Sequence, residues 1–327
     1  LDYLNEYLRD LKPKSIFLLT GKKSFYDSGA KNKISYILKK YNYYRFSDFE
    51  KNPKIEDVEK ALSYFRNYKC DLIIAIGGGS VIDIAKLINF FNKKNKPYTS
   101  YFKYSFKKKD KIPLVAIPTT AGAGSEATHF AVVYVNKIKF SIANSNLLPD
   151  ISLIDHNLLK SQNKYQIIVS GLDAFCQGIE SFWSVNSNIE SEVYSTKAIK
   201  YSWNYLNKAV NGDNVFNFLS KSAFFSGKAI NITKTTGPHA FSYGFTSNFN
   251  IPHGHSVSLF LPFFISFHKK VTLNTCNDKR GPFFVINQLK KISNILGVEY
   301  DNLENEILNF LKSKEIEINF KKLGINQ

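Results

Sequence analysis

Two histidines and one aspartate have the residue types and the spacing of a metal site. His239 and His253 lie fourteen residues apart, each directly after a proline, and Asp173 adds a carboxylate upstream. Imidazole nitrogens and carboxylate oxygens are donors that bind a borderline divalent cation such as Fe²⁺ or Zn²⁺. Each histidine alone could be an ordinary core or surface residue, but the spacing and the flanking prolines argue against that interpretation. The pattern therefore predicts metal chemistry in the second half of the chain.

A glycine-rich turn in the first half of the chain has the context of a phosphate site. Residues 77–80 (GGGS) follow the apolar run 70–76 and precede residues 81–91, whose apolar positions have helical spacing. Such a turn exposes backbone N–H groups beside a helix N-terminus, and both favour an anion. Asp83, in the first helical turn, either caps the helix or accepts a hydrogen bond from a ligand hydroxyl. A tight turn without a ligand explains the glycines alone equally well.

A threonine-rich turn strengthens the nucleotide interpretation. Residues 118–126 (PTTAGAGSE) follow the apolar run 114–117 and add hydroxyl groups to a flexible backbone. Both turns leave the carboxyl ends of predicted parallel strands, where open α/β sheets bind their ligands. The pair is therefore a more specific signal than either turn alone.

The elements that must position these residues change character along the chain. The two apolar runs already named, and a third at residues 15–20, alternate with helical patterns, which predicts a parallel sheet with crossover helices. After residues 151–155 strand-like runs become rare and helical patterns dominate. We therefore predict an α/β dinucleotide-binding domain at residues 1–157 and an all-α metal-binding and substrate domain at residues 158–327.

Composition narrows the class of protein. The chain has 327 residues, of which 44% are hydrophobic and 22% charged, as is typical of a globular protein. Its three cysteines argue against a disulfide framework and for a reducing compartment. We see no secretory leader pattern, and the longest apolar stretch, residues 257–267, is too short to cross a bilayer. We therefore expect a cytoplasmic protein without membrane insertion.

The formal net charge of +17 has two compatible interpretations. One is a surface rich in lysine, in a composition biased toward Lys, Asn, Ile, Phe and Tyr. The other is attraction of an anionic substrate or cofactor. A nucleic-acid partner would require the lysines to gather on one face, and their scatter along the sequence argues against it.

Four motifs in this order resemble the iron-containing (group III) alcohol dehydrogenases. They are GGGSxxDxAK at residues 77–86, PTTAGxGSExT at 118–128, GLDAxxxxIES at 171–181, and the histidine pair that ends in PHG. The resemblance covers roughly residues 15 to 262. It implies an N-terminal nucleotide-binding domain, a helical metal-binding domain of the dehydroquinate synthase-like fold, and a homodimer.

The resemblance also implies a set of metal ligands. Asp173, His239 and His253 match ligands of the family, and Gln177 occupies a position where members usually have a histidine. A glutamine offers only a neutral amide oxygen. Three interpretations stay open: Gln177 is a weak fourth ligand, it hydrogen-bonds around the site while water completes the shell, or the metal has been lost.

Two departures from the family pattern point to one branch. Gln177 is the first, and the second is Tyr243, which replaces another histidine found in many members. With residues 233–236 (TKTT) and 252–255 (PHGH), these features are most similar to the phosphonoacetaldehyde reductases, also called 2-hydroxyethylphosphonate dehydrogenases.

The reaction implied by the resemblance is reversible hydride transfer between NAD(P)H and a small aldehyde, with the metal as Lewis acid. Tyr243 either packs or donates a proton, and His255 is a candidate proton relay or phosphonate contact. Lys234, with the hydroxyls of Thr233, Thr235 and Thr236, could hold a phosphonate; an ordinary lysine at a helix end is the alternative.

Cofactor contacts are expected from both turns and from the end of the first strand. Lysines 22 and 23 follow Gly21 and leave space and positive charge, so NADPH should be accepted, with NADH as an open alternative. Lys139 matches a lysine of the family that contacts the cofactor. The expected cofactor-binding residues are Gly21, Gly78, Gly79, Ser80, Asp83, Thr119, Thr120, Ser125, Thr128 and Lys139.

Two other functions compete with the phosphonate hypothesis. One is a general dehydrogenase for short alcohols within the same family. The other is a catalytically silent nucleotide-binding protein whose metal site decayed at Gln177. A cyclase of the dehydroquinate synthase type is disfavoured, because its first ligand would be Glu where this chain has Asp173.

Overall fold

The computed structural model describes residues 1–92, 111–136 and 138–325. The chain divides into two compact units. Unit 1 comprises Leu1–Thr120 and Ser125–Gln162, and unit 2 comprises Ala121–Gly124 and Asn163–Gln327. The expected fold class, an α/β part followed by a helical part, is confirmed, whereas the contiguous boundary at residue 157 stays a prediction.

Unit 1 is built on a five-stranded parallel sheet with the strand order β2-β1-β3-β4-β7. The strands β1, β3 and β4 are buried along their whole length, which explains their uninterrupted apolar sequences. The strands are β1 Ile16–Thr20, β2 Tyr43–Phe46, β3 Leu72–Gly77, β4 Leu114–Pro118 and β7 Ile151–Ser152. The helices are α1 Asp2–Leu11, α2 Ser24–Asp27, α3 Ala30–Leu38, α4 Ile55–Tyr68 and α5 Gly79–Phe91.

An antiparallel hairpin in unit 1 was not expected from the sequence. It pairs β5 Phe130–Val135 with β6 Ile138–Ala143. Only alternate residues of β5, Ala131 and Val133, are buried. The hairpin packs its inner face on α5 and adds no strand to the main sheet.

Unit 2 is helical throughout the part of it that the structure describes. The helices are α6 Lys164–Trp183, α7 Ile189–Val210, α8 Phe216–Thr233, α9 Gly237–Phe249, α10 His253–Lys269, α11 Pro282–Leu296 and α12 Leu303–Lys312. Helix α6 is central: it packs against α7, α8, α10 and α11, and every residue from Ile167 to Trp183 is buried. Across the described ranges, no helix combines the length and the apolar character needed to cross a membrane.

Candidate metal centre and nucleotide turns

Three helices of unit 2 bring Asp173, His239 and His253 together. Their ligand atoms all lie within 4.8 Å of one another. Asp173 and His239 are buried, and His253 is partly exposed. No hydrogen bond from the described residues reaches the buried Nε2 of His239, which lies 3.4 Å from Oδ1 of Asp173. A divalent cation would satisfy this nitrogen, so the donor set fits the metal that the sequence predicts.

A close helix crossing sets the distance between two of these residues. Gly254 lies in the first turn of α10, and a Cβ atom there would collide with the backbone carbonyl oxygen of Val169 in α6. The same Cβ would lie 3.0 Å from Cβ of Asp173. Because glycine lets the two backbones approach, His253 begins its helix directly beside Asp173.

Glu180 orients the ring of His239 through Nδ1, the nitrogen that faces away from Asp173. Its carboxylate is fully buried and accepts from Nδ1 of His239, which leaves Nε2 to face Asp173. The other carboxylate oxygen accepts from the backbone N–H of Thr236 at 2.6 Å and from its hydroxyl at 2.9 Å. Such a carboxylate behind an imidazole fixes the tautomer and the ring direction of a metal ligand.

Neighbouring carboxylates affect the pKa of His239 more strongly than its burial does. Burial lowers the pKa of this imidazole, but the carboxylates of Glu180 and Asp173 raise the pKa to about 9. Sequence reasoning missed Glu180. The available signal was its position seven residues after Asp173, which places both side chains on one face of a helix.

Gln177, one of the predicted metal ligands, is hydrogen-bonded to protein groups in the structure. Its Nε2 donates to Oδ1 of Asp173 at 3.2 Å and to the carbonyl oxygen of Ala123 at 3.5 Å. Its Oε1 accepts from the hydroxyl of Ser226 at 2.8 Å. The opposite amide orientation would press an oxygen against two acceptors. The structure therefore favours the interpretation in which Gln177 hydrogen-bonds around the site.

Tyr243 lies against the metal-binding residues. Its ring stacks near the ring of His253, with centroids 6.2 Å apart and an angle of 24° between the planes. Burial raises the pKa of its hydroxyl, although a hydrogen bond with Thr235 acts in the opposite direction. The hydroxyl therefore keeps its proton at neutral pH, and its catalytic role stays a prediction.

The arrangement around His255 does not support a role as proton relay or phosphonate contact. Nδ1 bonds the hydroxyl of Tyr165 at 2.9 Å, and Nε2 donates to the carbonyl oxygen of Glu317 at 2.7 Å. Burial lowers the pKa of this histidine, so the ring is neutral and both nitrogens already bind protein groups. Its role is to join the start of α10 to the chain near residue 317.

The threonines expected to hold a phosphonate are occupied within the protein. Thr233 bonds Ser181 at 2.9 Å, Thr236 binds Glu180 and accepts from the indole N–H of Trp183, and Thr235 bonds Tyr243. Helix packing therefore already uses these hydroxyls, and their contact with a phosphonate stays a prediction. Lys234 is exposed, ends α8 with a φ of 61°, and remains a candidate substrate residue.

The two turns of unit 1 meet at the carboxyl ends of adjacent strands. Gly77 pairs with Pro118, and the backbone N–H of Thr119 donates to the carbonyl oxygen of Gly77 at 3.0 Å. Gly78 caps α5 with an extended backbone, and a Cβ there would lie 3.3 Å from the hydroxyl oxygen of Thr120. The hydroxyl of Thr119 is buried and has no hydrogen-bond partner among the described residues. This edge therefore offers free polar groups to a ligand.

Two other predicted cofactor residues lie at the same edge. Gly21 directly follows β1, and its backbone N–H donates to the carbonyl oxygen of Ile76 at 3.4 Å. A side chain on Gly21 would collide with the hydroxyl of Ser24. The hydroxyl of Ser80, at the start of α5, accepts from the backbone N–H of Asn52 at 3.3 Å. These residues keep their predicted role, as does Gly79, where α5 begins.

Several predicted cofactor residues instead form a buried network behind the turns. Asp83 accepts from the backbone N–H of Val132 at 3.1 Å and does not cap α5. Ser125 bonds Asp83. Lys139, in β6, lies close enough for its charge to lower the pKa of Asp83, although burial, the larger effect, raises it. The side chains of Asp83 and Ser125 therefore stabilise the packing of the hairpin on α5.

Lys86 is the centre of this network, although the sequence motif alone gave it no role. Its fully buried ammonium donates to the hydroxyl and the carbonyl oxygen of Thr128, at 3.0 and 2.8 Å, and to the carbonyl oxygen of Phe130 at 2.8 Å. Burial lowers the pKa of Lys86 to about 8 and raises that of the neighbouring Glu126 to about 7. Thr128 is therefore an anchor for Lys86, which the cofactor prediction did not foresee.

An acidic residue beside Gly21 was also missed. Asp48 follows β2, the neighbour of β1, and its carboxylate pairs with Lys22 at 3.0 Å and with Lys60. The predicted positive charge after the first strand is therefore partly neutralised. The sequence signal was present, because an acidic residue after the second strand is the position that contacts the adenosine ribose in dinucleotide-binding folds.

His268, near the end of α10, provides a test of acid stability. Its buried Nδ1 has no hydrogen-bond partner among the residues described, and its ring meets Trp183 edge-on at 4.6 Å. Burial lowers its pKa from 6.5 to about 4, against an opposing effect of Glu180. Between these values the unfolded chain binds the proton and the folded chain does not. The free energy of unfolding should therefore fall by about 2–3 kcal/mol as the pH drops from 6.5 to 4.

The matched variant is His268→Phe, which fills the same space without titrating. Urea unfolding of both proteins at several pH values between 7 and 4 gives the difference in free energy. As the pH falls from 7 to 4, we expect the free energy of unfolding of His268→Phe to rise steadily relative to that of the wild type. Parallel curves for the two proteins would contradict the assignment.

Comparison with known proteins matches the two parts of the chain to models of one family. A family model described as iron-containing alcohol dehydrogenase matches residues 1–156, and one described as the C-terminal part of the Fe-containing alcohol dehydrogenase family matches residues 167–327.

Named relatives and a solved structure agree with these matches. Long-chain-alcohol dehydrogenase 1 of Geobacillus thermodenitrificans is 28% identical over 87% of this chain and 73% of its own length. Phosphonoacetaldehyde reductase of Streptomyces viridochromogenes is 29% identical over 75% of this chain and 65% of its own. The structure of sulfoacetaldehyde reductase from Bifidobacterium kashiwanohense in complex with NAD⁺ superposes with a TM-score of 0.87 and 23% identity. The superposition covers 99% of this chain and 84% of that one. At this identity the superposition supports the fold alone.

Proposed function

This chain belongs to the iron-containing alcohol dehydrogenase family, and from that premise we propose that it reduces a small anionic aldehyde to a primary alcohol. Phosphonoacetaldehyde, which would give 2-hydroxyethylphosphonate, is the first candidate. The family consists of oxidoreductases that use NAD(P) and a divalent metal. The observation that carries the proposal is the buried Nε2 of His239, which makes no hydrogen bond to the described residues and lies beside Asp173 and His253.

The residues divide the chemical work between the two units. Asp173, His239 and His253 would hold the cation, and Glu180 holds His239 in the required tautomer. When bound, the cation supplies Lewis acidity at the carbonyl oxygen and the nicotinamide supplies the hydride. Tyr243, which keeps its proton, would donate that proton to the oxygen of the new alcohol.

The nucleotide would be bound by backbone and hydroxyl groups at the sheet edge of unit 1. The N–H groups at the start of α5, next to Gly78, suit a pyrophosphate. The buried hydroxyl of Thr119 provides one further donor. These groups are polar and fixed, so they need little rearrangement on binding.

Three features favour an anionic aldehyde over a plain one. The chain is similar to a phosphonoacetaldehyde reductase, Lys234 is exposed at the end of α8, and the net charge is +17. Relatives named for plain alcohols, such as the NADPH-dependent butanol dehydrogenase of Clostridium saccharobutylicum at 26% identity, support the competing function. Overall identity therefore does not choose between them. We also propose homodimer formation, on the tendency of the family.

Steady-state kinetics test the proposal. The protein is chelated, reloaded with Fe²⁺ or Zn²⁺, and assayed with NADPH and NADH on phosphonoacetaldehyde and on propionaldehyde. We expect kcat/KM to be at least about 10-fold higher for the phosphonate, since one charge-assisted contact contributes about 1.5–3 kcal/mol. Equal efficiency would leave a general alcohol dehydrogenase, and no turnover restored by metal would leave a silent nucleotide-binding homologue.

Asp48 provides a separate test of cofactor preference. In Asp48→Asn the pair with Lys22 and the contact with Lys60 lose their charge, so two cations become available to a 2′-phosphate. We expect the ratio of kcat/KM for NADPH to that for NADH to rise by about 10-fold. Asp57→Asn, on α4 of the same unit, is the control. An unchanged ratio in Asp48→Asn would remove Asp48 from the cofactor site.

A further inference from the structure

We propose that Gln177 is a specificity determinant: by binding Asp173 instead of the metal, it leaves room for a substrate with a second oxygen donor. This inference rests on the proposed function and deepens it. The substrate class would be two-carbon aldehydes and alcohols that carry a phosphonate or sulfonate on the next carbon. Both oxygens of one molecule would then serve as ligands at the same cation.

The first step is that the amide of Gln177 is fixed at both ends. Its side chain is buried, with its Oε1 held by the hydroxyl of Ser226 and its Nε2 shared between Asp173 and Ala123. The single proton of the Ser226 hydroxyl is shared between Oε1 of Gln177 and the carbonyl oxygen of Ala223, which lies 2.9 Å from the hydroxyl oxygen. Turning Oε1 away from Ser226 would break this chain of bonds.

The second step is that the acceptor segment is rigid too. Ala123 precedes Gly124, whose φ is +59° and whose backbone lies so close to α8 that a Cβ would stand 2.6 Å from the carbonyl oxygen of Ala223. The left-handed conformation and the lack of space both require glycine there. The carbonyl of Ala123 therefore stays in place and keeps the amide N–H₂ of Gln177 facing the oxygens.

The third step concerns the number of ligands that the protein supplies to the metal. Asp173, His239 and His253 supply one carboxylate and two imidazoles. This donor set also occurs in Fe²⁺ sites that keep open positions for small ligands, and Fe²⁺ and Zn²⁺ accept more than three donors. A histidine in place of Gln177 would supply a further donor. With glutamine held by Ser226, that place in the shell is left to the substrate.

The fourth step is the energetic benefit of binding through two atoms. A hydroxyl or carbonyl oxygen and an acid oxygen separated by C–C–P or C–C–S can close a six-membered ring with a cation. Once the first oxygen is bound, the second binds as an intramolecular event with a high effective concentration. A molecule with both groups should therefore bind at least about 10-fold more tightly than a molecule with either group alone.

The test uses Co²⁺ as the metal, because its visible spectrum reports its own ligands without any turnover. Co²⁺-loaded protein is titrated with 2-hydroxyethylphosphonate, ethylphosphonate and ethanol in the absence of nucleotide. We expect 2-hydroxyethylphosphonate to change the visible bands of Co²⁺ and to bind at least about 10-fold more tightly than ethylphosphonate. If the bands do not respond to either phosphonate, or the two bind equally, the inference is overturned.

Two variants separate Gln177 from Lys234 as the source of selectivity. Gln177→His supplies the additional donor, so it should bind Co²⁺ more tightly and reduce the ratio of the two phosphonate affinities to less than about 3-fold. Lys234→Ala should weaken both phosphonates alike and leave their ratio unchanged. A ratio that survives in Gln177→His, or disappears in Lys234→Ala, would contradict the inference.

Failure of the inference on Gln177 can be distinguished from failure of the proposed function. Preferential reduction of phosphonoacetaldehyde together with unresponsive Co²⁺ bands would keep the function and reject the inference. If Gln177→His does not fold, as judged by its thermal unfolding, the wild-type comparison of the three ligands still decides.

Discussion

His239→Ala should abolish metal-dependent aldehyde reduction and lower kcat/KM by at least about 10³-fold, which corresponds to about 4 kcal/mol of transition-state stabilisation. The variant removes one of the three predicted metal donors, and this donor is oriented by the buried carboxylate of Glu180. Metal content after dialysis and single-turnover kinetics measure the two parts of this effect. We expect less than about a tenth of an equivalent of bound metal.

Loss of His239 also leaves Glu180 buried without its partner, so folding must be separated from chemistry. His253→Ala is the second variant, since His253 is partly exposed and its removal should affect the metal with a smaller effect on stability. His156→Ala, a histidine of unit 1 outside all the motifs, should keep metal content and turnover. A His239→Ala protein that retains both metal and activity would show that the metal site lies elsewhere.

Glu180→Gln should weaken metal binding by about 10–100-fold although Glu180 is not itself a donor to the metal. The carboxylate accepts from His239 on one oxygen and from Thr236 twice on the other. The glutamine amide has about the volume of the carboxylate but only one oxygen. Its N–H₂ group must therefore face at least one of the donors of His239 and Thr236. Isothermal titration with Zn²⁺ gives the affinity, and thermal unfolding should show a loss of about 3–5 kcal/mol, as for a broken buried pair.

The control for this variant is Glu190→Gln, an exposed glutamate on α7 that accepts from Tyr194. We expect it to change the free energy of unfolding by less than about 1 kcal/mol and to leave metal affinity unchanged. Equal metal affinity in wild type and Glu180→Gln would mean that His239 is oriented without Glu180.

Much of the fold follows from patterns within single segments. The strands β1, β3 and β4 are continuous apolar runs because both faces of a parallel sheet are covered, and the turns at Gly78 and Thr119 follow from glycine and threonine at strand ends. The hairpin of β5 and β6 was missed because the outer face of β5, like its buried inner face, is apolar, so β5 shows no alternation of apolar and polar residues.

The site was less predictable wherever a partner comes from a distant helix. The type and spacing of Asp173, His239 and His253 sufficed to propose them as a group. The orientation of Gln177, in contrast, depends on Ser226, 49 residues away. The bonds of the threonines near Lys234 were unpredictable for the same reason, since no local pattern reveals that Ser181, Glu180 and Trp183 bind their hydroxyls.

The crossing of α6 and α10 at Gly254 organises the backbone behind the site before any cation binds. A backbone contact, not a choice of side-chain rotamers, fixes how far His253 stands from Asp173. Closely packed helices yield little to small forces. The backbones that carry the two ligands are therefore held at a set separation before a cation binds, while the imidazole donors favour Fe²⁺ or Zn²⁺ over Ca²⁺, which prefers oxygen ligands.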